Sequence, residues 1–144
     1  MSDSASNHLC QSREQVDFFL KSLREILQSD QFNLETDLDI LPKKKSEDST
    51  DPYTTRNTML DLDYNKEDVS RELLTLEVGN YYETVLDDQG SDRPPFYAFI
   101  RSIQNRDVYI KVKIRDFSRR TVFCVSFHYA RYPVPNLPYA SIRI

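Results

Sequence analysis

The chain has 144 residues, a net charge of −4, 39% hydrophobic and 29% charged residues, and only two glycines and two cysteines. This length and composition favour one globular domain with a proper core. No run of 18 apolar residues occurs, and the start MSDSASNHL is too polar for a signal peptide, so we predict no membrane partner. One cysteine has polar neighbours and the other apolar ones, which argues against a disulfide framework and favours a cytoplasmic protein.

The net charge hides a division between two parts of the chain. Residues 93–144 contain ten Lys and Arg against two Asp and Glu, a balance of +8. Residues 1–92 contain nine Lys and Arg against 21 Asp and Glu, a balance of −12. Such asymmetry is typical of a nucleic-acid-facing part joined to an acidic part. The alternative is that the two parts simply attract each other, and charge alone favours neither interpretation.

The N-terminal region predicts a tail followed by a helix. Residues 1–11 are predicted to form a disordered tail, and residues 12–144 a single domain. Ser12 and Gln15 fit a capping box, with a serine followed three residues later by glutamine. Apolar residues then recur at helical spacing as far as Leu27, which predicts an amphipathic helix of about four turns with one apolar stripe to bury.

A linker and a second helical region follow. The linker, at about 42–53, is polar and carries charges of both signs, and its KKK run favours a solvated segment over a binding patch. Residues 54–76 predict helix in two pieces, and Asn65 is the N-cap candidate of the second piece because acidic residues occupy the next turn.

The C-terminal region predicts a sheet. Residues 96–103, 108–115 and 121–129 read as three strands joined by short turns, which predicts an antiparallel meander. The proline-rich end of the chain predicts an extended segment along an edge or over the core. The predicted fold class is therefore α+β, with N-terminal helices packed on a C-terminal antiparallel β-sheet.

The stretch DVYIKVKIRD in the second predicted strand alternates strictly. Val108, Ile110, Val112 and Ile114 alternate with Tyr109, Lys111, Lys113 and Arg115. A period of two predicts one face on a core and the other in solvent. The solvent face then displays a phenol and three cations, although solvated strand faces usually mix charge signs.

A hairpin loop of about four residues joins the second and third strands, and it predicts which residues face each other across them. Aligning Val112 with Val125 puts both apolar sets on one side. The opposed pairs on the exposed side are then Lys113 with Cys124, Lys111 with Ser126, and Tyr109 with His128. The face of the first strand stays open, because a two-residue turn and a three-residue turn put Tyr97 and Arg101 on different sides.

Such a face suits RNA. Lysines bind phosphate, aromatic rings stack on unpaired bases, and a histidine or tyrosine transfers a proton. The matching chemistry is phosphodiester transesterification, in which the ribose 2′-OH attacks the adjacent phosphate, and we expect it to need no metal and no cofactor. The alternative is an ordinary solvated face on which His128 is a strand-end residue.

Three segments resemble the MqsR (motility quorum-sensing regulator) family of toxins from type II toxin–antitoxin systems. They are TRNTMLDLDYNKEDVSRELLTLEVGNYYETVLDD, FYAFIRSIQNRDVYIKVKI and VFCVSFHYARYPVPNLPY, and with the first helix they cover about three quarters of the chain. The combination of V-Y-I-K with V-S-F-H is the most specific part. The resemblance implies a RelE-like α/β ribonuclease that cleaves mRNA and is silenced by a cognate antitoxin protein.

The resemblance also implies site residues. The tyrosine of V-Y-I-K and the residue after S-F serve catalysis in the family, which corresponds to Tyr109 and His128. A catalytic glutamine near the start of the first long strand falls on Tyr97, and a catalytic lysine falls on Glu83, a reversed charge. The residue after S-F is also His instead of Lys, so the assignment of acid and base stays open. Glu83 favours an alternative, a non-catalytic RNA- or protein-binding regulator from a phage or mobile element on the same fold, whereas the intact Tyr-Lys-His patch opposes it. We further predict RNA contacts from five cations: Lys111, Lys113, Arg115, Arg101 and Arg131.

Overall fold

The computed structural model describes residues 7–88, 90 and 92–140, and it is an α+β structure. None of the helices within these ranges is both long and apolar enough to cross a membrane. In chain order the elements are β1 (His8–Leu9), α1 (Arg13–Leu27), α2 (Leu34–Asp37), β2 (Leu38–Ile40), α3 (Thr55–Leu62), α4 (Lys66–Leu74), a 3-10 turn (Val78–Asn80), β3 (Tyr81–Val85), β4 (Phe96–Ile103), β5 (Arg106–Asp116) and β6 (Thr121–Tyr129).

The six strands form one sheet in the order β1-β3-β4-β5-β6-β2. All neighbours are antiparallel except β2 and β6, which run parallel. The predicted meander of β4, β5 and β6 is confirmed. The sequence did not indicate β1, β2 or β3, because strands of two to five residues are too short to show an alternating pattern.

The predicted helices are confirmed with their caps. Ser12 and Gln15 form the capping box of α1, and Thr54 and Asn65 cap α3 and α4. The apolar stripe of α1 and the buried side of α4 pack on one face of the sheet, and the hydrophobic core lies between them. Helices therefore cover one face and leave the other for the site.

Helix α3 lies along the edge of β6 beyond the point where β2 ends. Thr55 Oγ1 accepts a hydrogen bond from the backbone N–H of Phe127 at 3.0 Å, and Thr58 Oγ1 accepts one from that of Tyr129 at 3.1 Å. These hydroxyls satisfy strand N–H groups that would otherwise be buried without partners. The C-terminal end of β6 is thereby held in place.

The described part of the predicted disordered tail is ordered instead. Strand β1 pairs with β3, the N–H of Leu86 donates to the carbonyl of Asn7 at 2.8 Å, and the N–H of Gln11 donates to the hydroxyl of Tyr81 at 2.9 Å. A polar composition did not reveal this, because backbone groups rather than apolar side chains make these contacts. Residues 1–6 of the predicted tail lie outside the described residues.

The turn between β4 and β5 determines the faces that the sequence left open. Gln104 and Asn105 have φ values of 51° and 67°, and Ile103 pairs directly with Arg106. Two central residues with positive φ are characteristic of a two-residue type I′ hairpin turn. This register puts Tyr97 and Arg101 on the side of the sheet covered by the helices.

Candidate functional site: an aromatic and cationic sheet face

The side of the sheet opposite α1 and α4, here called the open face, carries the conspicuous polar residues. Rows of opposed side chains cross the strands on this face. One row contains Ile100, Tyr109 and His128, and the next contains Glu83, Ala98, Lys111 and Ser126.

Tyr109 and His128 are cross-strand neighbours, as predicted. Their rings stack with centroids 5.4 Å apart and an interplanar angle of 28°, and Tyr82 packs edge-on against Tyr109 at 6.2 Å. The prediction that the pair lies on an exposed sheet face is wrong for His128, which is only 8% exposed. Stacked aromatic rings cover one another, so the pair forms a partly enclosed wall rather than a solvated surface.

A β-bulge corrects part of the predicted register. Lys111 lies opposite Ser126 as expected, but the pairing then shifts by one residue at Val125. Lys113 consequently faces Phe123 instead of Cys124, and the Cys124 side chain is fully buried on the core side. A bulge inserts one extra residue and exchanges the faces beyond it, which strict alternation cannot predict.

A pocket of about 290 Å³ opens beside the two rings. Its walls come from four strands, β3 to β6, and from the extended segment that follows β6. The lining residues are Tyr82, Glu83, Ile100, Tyr109, His128, Ala130, Arg131, Tyr132, Pro133, Val134 and Pro135. The proline-rich segment thus forms one side of the pocket. Aromatic, acidic and cationic groups all line the pocket.

The hydrogen bond of His128 fixes which ring nitrogen carries the proton. Its Nδ1 lies 2.9 Å from the carbonyl oxygen of Tyr129, and since a carbonyl only accepts, Nδ1–H must be the donor. Burial lowers the pKa of His128 by disfavouring the imidazolium, so the neutral ring has an unprotonated Nε2. Burial also raises the pKa of Tyr109, so its hydroxyl keeps its proton. The pair combines a proton acceptor with a proton donor.

We expect the lowered pKa of His128 to make folding stability depend on pH. The unfolded chain binds a proton near pH 6.5, and the folded chain binds it only at lower pH, so this contribution is fully present above pH ~6.5 and is lost as the pH falls below it. Urea unfolding of the wild type and of His128→Asn between pH 7.5 and 5.5 measures it. The wild type should lose more stability than the variant, and parallel curves would contradict the prediction.

The structure places Tyr97 and Arg101 away from the open face. Tyr97 stacks on Phe19 of α1 with ring centroids 4.0 Å apart, and Arg101 Nε lies 3.2 Å from Glu72 Oε1 of α4. Neither residue is brought together with Tyr109 and His128. The prediction of Tyr97 as catalytic and of Arg101 as an RNA contact is therefore not retained.

The remaining predicted cations differ in availability. Lys113 is 5% exposed, and its Nζ lies 2.8 Å from Asp87 Oδ2, so it is a buried ion pair instead of a free phosphate ligand. Arg115 is exposed, stacks over Phe123 at 4.3 Å and lies 3.4 Å from Asp39. Carboxylates from the acidic part of the chain thus meet both residues, which favours mutual attraction as the explanation of these charges.

The predicted linker folds over the edge of the open face. Its acidic residues bind Arg131, with Nη2 lying 3.0 Å from Glu47 Oε2 and 2.7 Å from Asp51 Oδ2. Lys44 from the KKK run donates from Nζ to Ser126 Oγ at 2.9 Å, so the prediction of a solvated run is wrong for this residue. The parallel pairing of β2 with β6 positions the linker here, and no local sequence pattern indicates that pairing.

Glu83 and His8 are two site residues whose arrangement the sequence did not reveal. His8 Nδ1 lies 3.0 Å from Glu83 Oε2, and Glu83 also lines the pocket. Glu83 therefore places a carboxylate, oriented by a histidine, beside the Tyr109–His128 pair. The pairing of β1 with β3 is what brings His8 to this position.

In the ranges that the structure describes, no group of three or more His, Cys, Asp or Glu side chains is arranged to hold a metal ion. No family model, no curated protein and no solved structure matches the chain.

Proposed function

We propose that this protein is an endoribonuclease that cleaves single-stranded RNA at the open face by metal-independent transesterification. The observation that supports it most is the stacked pair of Tyr109 and His128 lining one pocket with Glu83 and Arg131. The pair offers an acceptor and a donor for protons, and the pocket offers room for a nucleotide beside them.

The proton positions suggest the role of each group. His128 Nε2 removes the proton of the ribose 2′-OH, and the 2′-oxygen then forms a bond to the adjacent phosphorus. The bond between phosphorus and the 5′-oxygen breaks, and the Tyr109 hydroxyl gives its proton to that leaving oxygen. The products are a 2′,3′-cyclic phosphate and a free 5′-hydroxyl.

The aromatic walls of the pocket suit unpaired bases. Tyr132 is 79% exposed and lines the pocket with Tyr82, so the Tyr132 ring is available for stacking. Stacking on aromatic side chains is how proteins hold single-stranded RNA, and it contributes about 1–3 kcal/mol per base. Double-stranded RNA keeps its bases stacked internally and is expected to be a poor substrate.

The second candidate is a non-catalytic RNA- or protein-binding regulator, and the ion pairs favour it in one respect. Lys113 and Arg131 are already neutralised by Asp87, Glu47 and Asp51, so the predicted phosphate clamp is weaker than the charge count indicates. This candidate predicts RNA or protein binding without cleavage.

We extend the proposal to mRNA as substrate, and to a toxin that a cognate antitoxin protein silences. Support for this extension comes from the combination of V-Y-I-K and V-S-F-H in the sequence. A small adjacent reading frame that encodes a DNA-binding protein would support the toxin role, and co-purification of the two products would identify the partner.

Incubation of the purified protein with a long single-stranded RNA in EDTA tests the proposed chemistry. We expect cleavage to continue in the chelator, with products that carry 2′,3′-cyclic phosphate and 5′-hydroxyl ends. End-specific ligation followed by sequencing identifies these ends. Products with 5′-phosphate ends, or cleavage that EDTA abolishes, would contradict the mechanism.

A further inference from the structure

Two lysines from distant parts of the chain are neighbours of one buried hydroxyl on the open face. Ser126 of β6 has no exposed surface, and its Oγ accepts the hydrogen bond from Lys44 Nζ at 2.9 Å. Lys111 of β5 lies directly opposite Ser126. Both lysines are half-buried, and Lys111 Nζ also lies over the Phe96 ring, 5.4 Å from its centroid.

Lys44, Lys111 and Ser126, here called the trio, carry two positive charges and no negative charge. Neither Lys44 nor Lys111 forms an ion pair with a carboxylate of the described residues, in contrast to Lys113 and Arg131. Burial lowers the pKa of Lys111, and the positive charge of Lys44 lowers it further, although the carboxylates of Glu83 and Asp88 act in the opposite direction. Two like charges held together in a partly desolvated place disfavour each other, and an anion between them would relieve this cost.

The trio lies one row away from the Tyr109–His128 pair. Lys111 is two residues from Tyr109 on β5, and Ser126 is two residues from His128 on β6, so both face the same way. Two residues along a strand span about 7 Å. An anion held by the trio therefore lies about 7 Å along the strands from the reacting groups, on the same surface.

We propose that Lys44, Lys111 and Ser126 form a phosphate subsite. Its ligand is a phosphate group of the RNA backbone next to the one that reacts, an identification that rests on the proposed function. The ammonium groups supply charge, and the Ser126 hydroxyl holds Lys44 in position. The linker thus contributes part of the binding site.

The chain offers a matched control, because Lys45 is the next residue of the same KKK run and is exposed. The probe is a single-stranded RNA carrying 2′-O-methyl groups throughout, which binds but cannot be cleaved by 2′-OH attack. Fluorescence anisotropy across a salt series gives log K against log salt. We expect Lys44→Gln and Lys111→Gln each to weaken binding and to reduce the slope by about 0.7, and Lys45→Gln to change it much less.

A second measurement uses inorganic phosphate alone and keeps this inference separate from the proposed function. Phosphate is expected to raise the melting temperature of the wild type and of Lys45→Gln more than that of Lys44→Gln, with circular dichroism confirming that each variant is folded. Equal behaviour of Lys44→Gln and Lys45→Gln in both measurements would overturn the subsite.

The remaining outcomes distinguish the phosphate subsite from the proposed nuclease activity. RNA binding that depends on Lys44 without any cleavage by the wild type supports the subsite and contradicts the nuclease. A phosphate effect that depends on Lys44 without RNA binding supports an anion site and overturns RNA as the source of the phosphate.

Discussion

Replacing His128 with asparagine is expected to slow RNA cleavage about 10²- to 10⁴-fold, which corresponds to about 3–5 kcal/mol of barrier. The asparagine amide nitrogen can take the place of Nδ1–H and keep the hydrogen bond to the Tyr129 carbonyl. The variant loses Nε2, the atom that accepts the proton in the proposed mechanism. Single-turnover cleavage measures the rate, and thermal melting reports whether the fold is kept.

Two tyrosines of neighbouring strands provide the matched control. Tyr109→Phe removes the hydroxyl beside His128 and should also slow cleavage, whereas Tyr97→Phe removes one on the helix-covered side and should leave the rate unchanged. The resemblance to the toxin family assigns a role to Tyr97, and the geometry does not. Loss of cleavage in Tyr97→Phe with normal cleavage in His128→Asn would contradict the site described above.

Replacing Lys113 with methionine is expected to destabilise the fold by about 3–5 kcal/mol. Its Nζ and the Asp87 carboxylate lie 2.8 Å apart with side-chain exposures of only 6% and 8%. Methionine cannot form this ion pair, so the Asp87 carboxylate loses a charged partner in a place where water solvates it poorly. Urea unfolding near neutral pH measures the loss of stability.

Arg115→Met is the surface control for that substitution. The ion pair of Arg115 with Asp39 is long and about half exposed, so its removal should cost at most about 1 kcal/mol. If Lys113→Met is as stable as Arg115→Met and instead loses RNA affinity, Lys113 is a phosphate ligand and the buried-pair interpretation is wrong.

The sequence predicted the parts of this fold that local patterns specify. The capping box at Ser12, the N-cap at Asn65 and the alternation around Tyr109 each depend on residues close together in the chain. The alternation of apolar residues and the length of the hairpin loop then predicted that Tyr109 lies beside His128. Antiparallel strands joined by a short loop have few possible registers.

The parts that failed depend on partners distant in sequence. Lys44 reaches Ser126 only because β2 pairs in parallel with β6, and no local pattern predicts that pairing. The register beyond Lys111 depends on a bulge at Val125, which the alternation of residues along β6 does not indicate.

Counting charges along the sequence also fails to show which charged residues contact each other in the fold. The split between the acidic and basic parts was open to two interpretations, RNA binding and mutual attraction. Lys113, Arg115 and Arg131 each form an ion pair with a carboxylate of the acidic part, so attraction explains these three. For Lys44 and Lys111, RNA binding remains the favoured interpretation.

Induction of the protein in a growing bacterium tests the central claim most directly, with wild type and His128→Asn produced at equal levels. New RNA 5′ ends are mapped by sequencing while growth is followed. The account predicts growth arrest and new 5′-hydroxyl ends with the wild type, and neither with the variant. Arrest and cleavage by both proteins would contradict the role of His128, and a wild type that binds RNA but generates no new ends would contradict the nuclease.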